Sequence, residues 1–135
     1  MIIDATDLLI GRLASFAAKQ ALLGEDIIVV NSEKAVVSGN RKDVFANYHE
    51  KHNRGNPHTG PFFPIREDLI LRRTIRGMLP WQRSRGREAL KRVKCHIGIP
   101  AELIGKKLDV VENAKVSKLP NFNYVKLGEI SSQLR

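Results

Sequence analysis

The stretch MIIDATDLLIGRLASFAAKQALLGEDIIVVN, residues 1–31, has the pattern of a strand, a helix and a second strand. Its short β-branched start is followed by Thr6 and Asp7, residue types that often cap the N-terminus of a helix. Near its end, Ile27–Val30 form a continuous apolar run, which is typical of a strand buried on both faces. Two strands joined by a helix form a right-handed crossover, and the stretch therefore predicts a parallel sheet.

The segment between these two strands has the periodicity of an amphipathic helix. Arg12 and Lys19 fall on the side opposite its apolar residues. The apolar arc consists of Ile10, Leu13, Ala14, Ala17 and Ala21. Gly24 is predicted to end the helix, because glycine readily adopts the positive φ of a helix terminus. The small alanine side chains predict a helix that lies close to the sheet.

Strands and helices continue to alternate beyond this unit. Residues 35–37 predict a third short strand, and residues 41–52 predict a helix with Val44, Phe45 and Tyr48 on its apolar side. The next segment, NRGNPHTGPFFP, is rich in Gly, Pro and Asn and predicts a long loop that contains Arg54 and His58. A loop of this length in a compact domain is usually either functional or disordered.

A further helix is predicted over residues 66–79. Leu71, Ile75 and Met78 form its apolar stripe, and Pro80 stops it. After a turn, residues 87–92 predict a short helix.

After this helix, the sequence predicts a fourth strand and then a less regular C-terminal segment. The strand is predicted in KCHIGIP, the segment AELIG predicts one helical turn, and the last residues, GEISSQL, predict a short helix after an extended segment that begins at Lys106. The four strands predict an α/β fold with a mostly parallel sheet. At 135 residues the chain is expected to form one domain, residues 1–135.

Composition excludes several classes of protein. Apolar residues make up 42% of the chain and charged residues 27%, which argues against wholesale disorder. No apolar run reaches the roughly 18 residues that a membrane span needs, and the N-terminus does not resemble a signal peptide. Cys95 is the only cysteine, so no internal disulfide forms, and we expect a reducing cytosolic setting.

Positive charge is concentrated in the middle of the chain. Residues 41–96 contain fourteen Lys or Arg against five Asp or Glu, whereas residues 1–40 contain three against five. A high isoelectric point alone could serve solubility, but concentration in one block favours a surface that binds a polyanion. Membrane phosphates are a weaker candidate than nucleic acid, because glycine and proline interrupt the block.

The centre of this block is RRTIRGMLPWQRSRGREALKRVK, residues 72–94. Arg72, Arg73 and Arg76 project within about 100° of one another on the helix, away from its apolar stripe. The sequence leaves two interpretations of Trp81, which either stacks on a base or packs over the helix end. Gly86 likewise either lets backbone approach a ribose or phosphate, or simply serves a turn.

Enzymatic signatures are weak. Gly11 comes too late in the first strand–helix turn to cradle a pyrophosphate, and SGNRKD lacks the spacing of a P-loop. His49 and His52 could share a zinc ion, but they lie in the basic block, where RNA contact or solvation is a better explanation. No Ser, Cys or His has a recognisable activating partner. A small cytosolic nucleotide- or phosphate-binding enzyme on a flavodoxin-like sheet remains the alternative.

The segments DATDLLIGRLAS, VVNSEKAVVSGN and above all RRTIRGMLPWQRSRGREALKRVKCHIGIP resemble the large-subunit ribosomal protein L13 family. The resemblance covers nearly the whole chain and centres on RGMLP, residues 76–80. The short start, SRGREALKR and the ending LGEISSQL resemble the archaeal and eukaryotic branch. The family fold implied is three-layer α/β/α on a four-stranded parallel sheet.

The resemblance implies a structural protein of the large ribosomal subunit, located in cytoplasmic ribosomes, with no enzymatic activity, cofactor, metal, membrane or small-molecule substrate. Its partners would be large-subunit ribosomal RNA and neighbouring ribosomal proteins. Together with the charge pattern, it predicts an RNA-binding surface. The predicted contact residues are Arg41, Lys42, Arg54, Arg72, Arg73, Arg76, Gly77, Trp81, Arg83, Arg85, Arg87, Lys91, Arg92 and Lys94.

Overall fold

A computed structural model describes all residues 1–135. In chain order, the strands and helices are β1 (Ile2–Asp4), α1 (Ile10–Leu22), β2 (Ile27–Val30), β3 (Val36–Ser38), α2 (Arg41–Asn53), α3 (Glu67–Gly77), α4 (Ser84–Lys91), β4 (Val93–Cys95), β5 (Tyr124–Lys126) and α5 (Leu127–Leu134). Single 3-10 turns occur at Ser32–Lys34, Ala101–Leu103, Glu112–Ala114 and Val116–Lys118. None of the helices combines the length and apolar character needed to span a bilayer.

The parallel sheet predicted from the first 31 residues is present. Its order is β1–β2–β4, with Ile2 opposite Ile28 and Ile27 opposite Val93. The α1 helix provides the crossover between β1 and β2, and Gly24 after it has φ 99°. The predicted α/β class with a parallel sheet is therefore confirmed.

The prediction that four strands share one mostly parallel sheet is wrong. The parallel sheet has three strands, and β3 instead pairs antiparallel with β5, with Val37 opposite Val125. Only residues 31–35 separate β2 from β3, which is far too short for the dozen or more residues that a parallel crossover needs. The free edge of β1 receives only one bridge, between Ile3 and Asp109 of the C-terminal segment.

The helix boundaries differ from the predictions at the start of α1, at the end of α3 and at the start of α4. Thr6 and Asp7 do not cap α1, because Leu9 precedes its first residue and Asp7 lies in the left-handed region with φ 55°. Buried Leu8 and Leu9 occupy the positions between this turn and the helix. The α4 helix begins at Ser84 rather than at the predicted residue 87, so Arg85 lies on the helix instead of in the preceding turn.

One hydrophobic core joins the sheet to all five helices. The predicted inward face of α1 is confirmed, because its five predicted core residues are each at most 8% exposed. On α3, Leu71 and Ile75 are fully buried. Met78 was predicted on the same stripe and is 43% exposed, because α3 ends at Gly77 and the chain turns there. Leu79 is the residue that enters the core after the helix.

A small polar network holds the carboxyl ends of β1 and β2 together. One oxygen of the Asp4 carboxylate accepts hydrogen bonds from the Thr6 amide at 3.0 Å, the Thr6 hydroxyl at 2.6 Å and the Asn31 side-chain amide at 3.0 Å. Burial alone would raise the pKa of Asp4, but these hydrogen bonds and the charge of Lys34 lower it below its ordinary value of 3.8. The ionised carboxylate is therefore part of the folded structure.

The different burial of Ile75 and Met78 gives a matched pair of substitutions. We expect Ile75→Ala to lower the free energy of unfolding by about 2 to 5 kcal/mol, because it leaves a cavity in the core. Met78→Ala should cost less than about 1 kcal/mol, since that side chain is partly solvated. Thermal or denaturant unfolding of both variants measures the difference, and equal destabilisation would contradict the burial described above.

Stability should also depend on the ionisation of Asp4. Because the pKa of this carboxyl is lower in the folded state than in the unfolded state, its stabilisation is present above the unfolded pKa and is lost as the pH falls through the folded pKa. Between about pH 5 and pH 3 we expect the native chain to lose stability more steeply than an Asp4→Asn variant. Urea unfolding at several pH values measures both proteins. If their free energies of unfolding change with pH in parallel, the ionisation of Asp4 does not contribute to stability.

Candidate nucleic-acid interface

The basic stretch of residues 72–94 folds into α3, a turn, α4 and β4. The structure contains six ion pairs, and none involves a cation from this stretch. Glu88, the single acidic residue among these arginines and lysines, is exposed and pairs with none of them. On the turn, α4 and β4, five cations are both exposed and without an acidic partner: Arg83, Arg85, Arg87, Lys91 and Lys94. The stretch therefore presents positive charge that the protein itself does not neutralise.

Among the arginines of the stretch that are only partly exposed, two are held by the protein backbone. The Arg72 guanidinium donates to the carbonyls of Val93 at 3.3 Å and Leu90 at 3.2 Å, which ties α3 to the end of α4 and the start of β4. The Arg92 guanidinium donates to the Ala21 carbonyl at 3.0 Å, near the C-terminus of α1. Both side chains are only partly exposed, and both help to fix the arrangement of the elements that carry the exposed cations.

Arg76 and Trp81 form a stacked pair across the turn after α3. The Arg76 guanidinium carbon lies 4.1 Å from the centre of the Trp81 ring, within the range of a cation–π interaction. Trp81 is 39% exposed, so the stack is open to solvent. This geometry supplies a planar surface beside positive charge, and it holds Trp81 at the surface rather than in the core.

Two glycines of the stretch have opposite surroundings. A Cβ atom on Gly86 would lie 2.0 Å from the Pro80 carbonyl oxygen and 2.8 Å from the Trp81 nitrogen. Gly86 therefore lets α4 pack directly on the turn. Of the two interpretations of this residue, the geometry favours the one in which Gly86 serves the turn. Gly77 has no neighbouring atom within 4 Å of such a Cβ position, so its backbone is open to a ligand.

The predicted contact residues on and after α2 are exposed, and two of them have acidic partners. Arg41 pairs with Glu129 of α5, and Arg54 pairs with Glu50 at 2.6 Å. Exposed pairs of this kind contribute little to stability and are screened by salt, so both arginines can exchange partners. Lys42, next to Arg41, is exposed and forms no ion pair.

Three clefts meet at Arg73, and they join the α2 region to the basic stretch. A cleft of 400 Å³ runs between α2 and α3, and its lining includes Lys51, Arg54 and Arg73. A second, of 300 Å³, is lined by Phe62, Leu90 and the three arginines of α3 among others. A third, of 180 Å³, is lined by Arg73, Arg76, Gly77 and Trp81. The predicted site residues on these elements thus border one grooved surface.

Sequence reasoning missed how the aromatic residues beside this surface pack together. Tyr48 and Phe63 pack edge to face with ring centres 6.0 Å apart, and the Lys51 ammonium lies 5.0 Å from the Tyr48 ring centre. Tyr48 and Lys51 are three residues apart on one helix, a spacing that places them side by side and could have been noticed. The approach of Phe63 from the loop has no comparable signal in the sequence.

Other parts of the molecule offer little for catalysis. A cleft of 540 Å³ on the other side of α2 has no Lys or Arg in its lining and includes Asp43, which suits neither phosphate nor nucleic acid. Burial raises the pKa of the Cys95 thiol to about 12, with Asp68 adding to the rise and Arg72 opposing it, so the thiol is protonated at neutral pH. No three His, Cys, Asp or Glu side chains converge in a way that could hold a metal ion.

Comparison with known proteins gives a consistent set of relatives. The sequence model of a family described as ribosomal protein L13 matches residues 1–102. A protein of Methanosarcina barkeri named large ribosomal subunit protein uL13 is 47% identical over 134 residues, which cover 98% of this chain and 96% of that protein. Proteins with the same name from Archaeoglobus fulgidus and Halobacterium salinarum are 46% and 40% identical, and the matches cover 86% and 90% of their lengths and 98% and 99% of this chain. All three organisms are archaea, in agreement with the branch that the sequence resembles.

The close approach of Gly86 to Pro80 gives a test of how the arginine-bearing turn is held. Gly86→Ala should lower the free energy of unfolding by about 1 to 3 kcal/mol, because the added methyl group overlaps a backbone carbonyl and the turn must move. Gly11→Ala is the matched control in α1, where the added methyl meets nothing within 4 Å. We expect that change to be neutral or to stabilise by up to about 1 kcal/mol. If thermal unfolding shows both alanines to be harmless, α4 does not pack on this turn as described.

Proposed function

Because the chain belongs to the ribosomal protein L13 family, we propose that it is a structural constituent of the large ribosomal subunit that binds large-subunit ribosomal RNA. The proposed contact surface comprises the basic stretch of residues 72–94 together with Arg41, Lys42 and Arg54 of the α2 region. The observation that carries the proposal is the group of five exposed cations without acidic partners on the turn, α4 and β4. A protein that used these charges only for its own stability would pair them.

The chemistry of this surface suits folded RNA. Arginine presents a planar fork of donors that matches two phosphate oxygens, and it remains charged at every physiological pH. Folded RNA is recognised largely through its backbone, its 2′-hydroxyl groups and its shape, all of which a rigid charged surface can contact. The stacked Arg76 and Trp81 add a planar surface that an unpaired base can cover.

The predicted contact residues divide into two roles in this proposal. The five exposed cations of the turn, α4 and β4 contact RNA phosphates directly. Arg72 and Arg92 first fix the positions of α3, α4 and β4 through backbone carbonyls, and part of each side chain remains exposed to the RNA. The open backbone of Gly77 allows a ribose or phosphate to approach closely.

The proposal also covers where the protein is located, what its partners are and what it does not bind. We place the protein in cytoplasmic ribosomes, in contact with neighbouring large-subunit proteins, and without a cofactor, a metal or a small-molecule substrate. The alternative of a nucleotide- or phosphate-binding enzyme is not retained, because the relatives are ribosomal proteins and not enzymes. The histidines of α2 are likewise not assigned to a metal.

Replacing Arg83, Arg85 and Arg87 together with glutamine tests the proposal. The fold should remain nearly intact, because these side chains are exposed and make no ion pair. Affinity for protein-free large-subunit RNA should fall sharply. The dependence of log K on log salt should become shallower by roughly 0.7 to 0.9 for each phosphate that the variant no longer neutralises. Filter binding at several salt concentrations and a melting curve in the same buffer give all three quantities.

A matched control removes three other exposed positive charges, with Lys19, Lys106 and Lys107 replaced by glutamine. The net charge of the two triple variants is the same, so a general polyanion effect would weaken both equally. We expect the control to bind RNA nearly as well as the native chain. An RNA affinity that is the same for all three proteins would overturn the proposed surface, as would an affinity that does not change with salt.

A further inference from the structure

We infer that the 400 Å³ cleft between α2 and α3 receives one unstacked nucleotide of the bound RNA. This inference rests on the proposed RNA-binding function and assigns a separate contact within it. The base would lie against Phe63, whose ring packs edge to face on the buried Tyr48, and the phosphate would meet the cations Lys51, Arg54 and Arg73.

The lining of the cleft has the chemistry of a nucleotide-binding site. It contains three cations and two aromatic rings, and it contains no carboxylate. The side chains of Pro61, Ile70 and Thr74 complete the lining, and the exposed Gly77 leaves its edge open. A phosphate-only site would need the cations but not the rings. A site for an apolar side chain would need the rings but not the cations.

Two of the positive charges are held beside the aromatic rings. The Lys51 ammonium lies 5.0 Å from the Tyr48 ring centre and 6.0 Å from that of Phe63, and it pairs with no acid. The Arg73 guanidinium lies 5.6 Å from the Phe63 ring centre, and its Nη1 donates to the Phe62 carbonyl at 3.2 Å. Both cations are thus held over an aromatic surface before any ligand arrives, which lowers the entropic cost of binding.

The size and position of the cleft favour a single nucleotide over a duplex. Its volume lies near the lower end of the range for small-ligand pockets, so a base and its ribose phosphate fit but a helix does not. Sequence-tolerant binding of unpaired RNA depends on stacking of bases on aromatic side chains beside a positive groove. Arg73 links this cleft to the arginine surface of α3, so the RNA strand can continue from one to the other.

The test uses the whole chain of residues 1–135 and protein-free large-subunit RNA from Methanosarcina barkeri, the source of a close relative. Irradiation at short ultraviolet wavelength joins a base directly to a side chain in contact with it, and mass spectrometry of the digested complex identifies both. We expect a cross-link between one nucleotide and the peptide that contains Phe63.

Two substitutions separate the base contact from the phosphate contact. Phe63→Leu should abolish the cross-link and weaken RNA binding by about tenfold or more, with an unchanged salt slope, because it removes stacking and no charge. Lys51→Gln should keep the cross-link and reduce the salt slope by roughly 0.7 to 0.9. Phe122→Leu and Lys106→Gln are the controls, since Phe122 is 79% exposed and lines none of the three clefts that meet at Arg73, and Lys106 lies far along the chain. Neither control should change affinity.

Phe63 packs against the core, so melting curves accompany the binding data. The exposed Lys51→Gln variant keeps the inference testable even where Phe63→Leu loses stability. RNA affinity that is unchanged by both substitutions would overturn the inference. A second result would also overturn the inference: free AMP binds the cleft at micromolar concentration, and Phe63→Leu leaves RNA binding unchanged. The cleft would then be a site for a free nucleotide. Failure of the native chain itself to bind RNA would instead overturn the proposed function.

Discussion

The two edges of the central strand β2 constrain the rest of the structure. One edge is occupied by β1 and the other by β4, so no further strand can join the sheet at its centre. The chain leaves β2 at Val30 and must return in parallel at Val93. The connection between these two residues contains α2, α3 and α4, and it carries 14 of the 23 Lys and Arg residues of the chain. The basic surface is therefore built from the crossover that the parallel pairing requires.

This arrangement explains why arginines in one stretch have different roles. Arg72 and Arg92 lie where helices meet strands, and their guanidinium groups donate to the carbonyls of Leu90, Val93 and Ala21 near the ends of those elements. Burying part of an arginine is tolerable here because donors of each guanidinium are satisfied and the apolar stem can pack against its neighbours. The exposed cations of α4 need no such partners. Arginine thus serves both the scaffold and the proposed binding surface, and burial separates the two roles.

Regular periodicity made part of the fold predictable from sequence. The buried face of α1, the strand Ile27–Val30 and the ends of α2 follow from spacing within a single element. The errors arose where tertiary contacts decide. Met78 fits the helical stripe of Ile75, but the helix ends one residue before it, and Leu79 takes the buried position. The contacts between α4 and the preceding turn, and between the long loop and α2, join separate segments, so no local pattern reveals them.

The distribution of ion pairs shows how the fold remains stable beside an uncompensated surface. Acidic residues pair with cations outside the basic stretch, as Glu129 does with Arg41 and Asp68 with Arg66 at 3.0 Å. The stretch of residues 72–94 has a single acid, Glu88, and it remains unpaired. Clustered like charges oppose folding, and the buried contacts beneath α3 and α4 must offset that repulsion. An RNA that neutralises the cluster removes the repulsion, and by linkage its binding stabilises the fold. Under the proposed function, the charges that oppose folding of the free protein therefore favour the complex, and the apolar core beneath them offsets their repulsion until RNA binds.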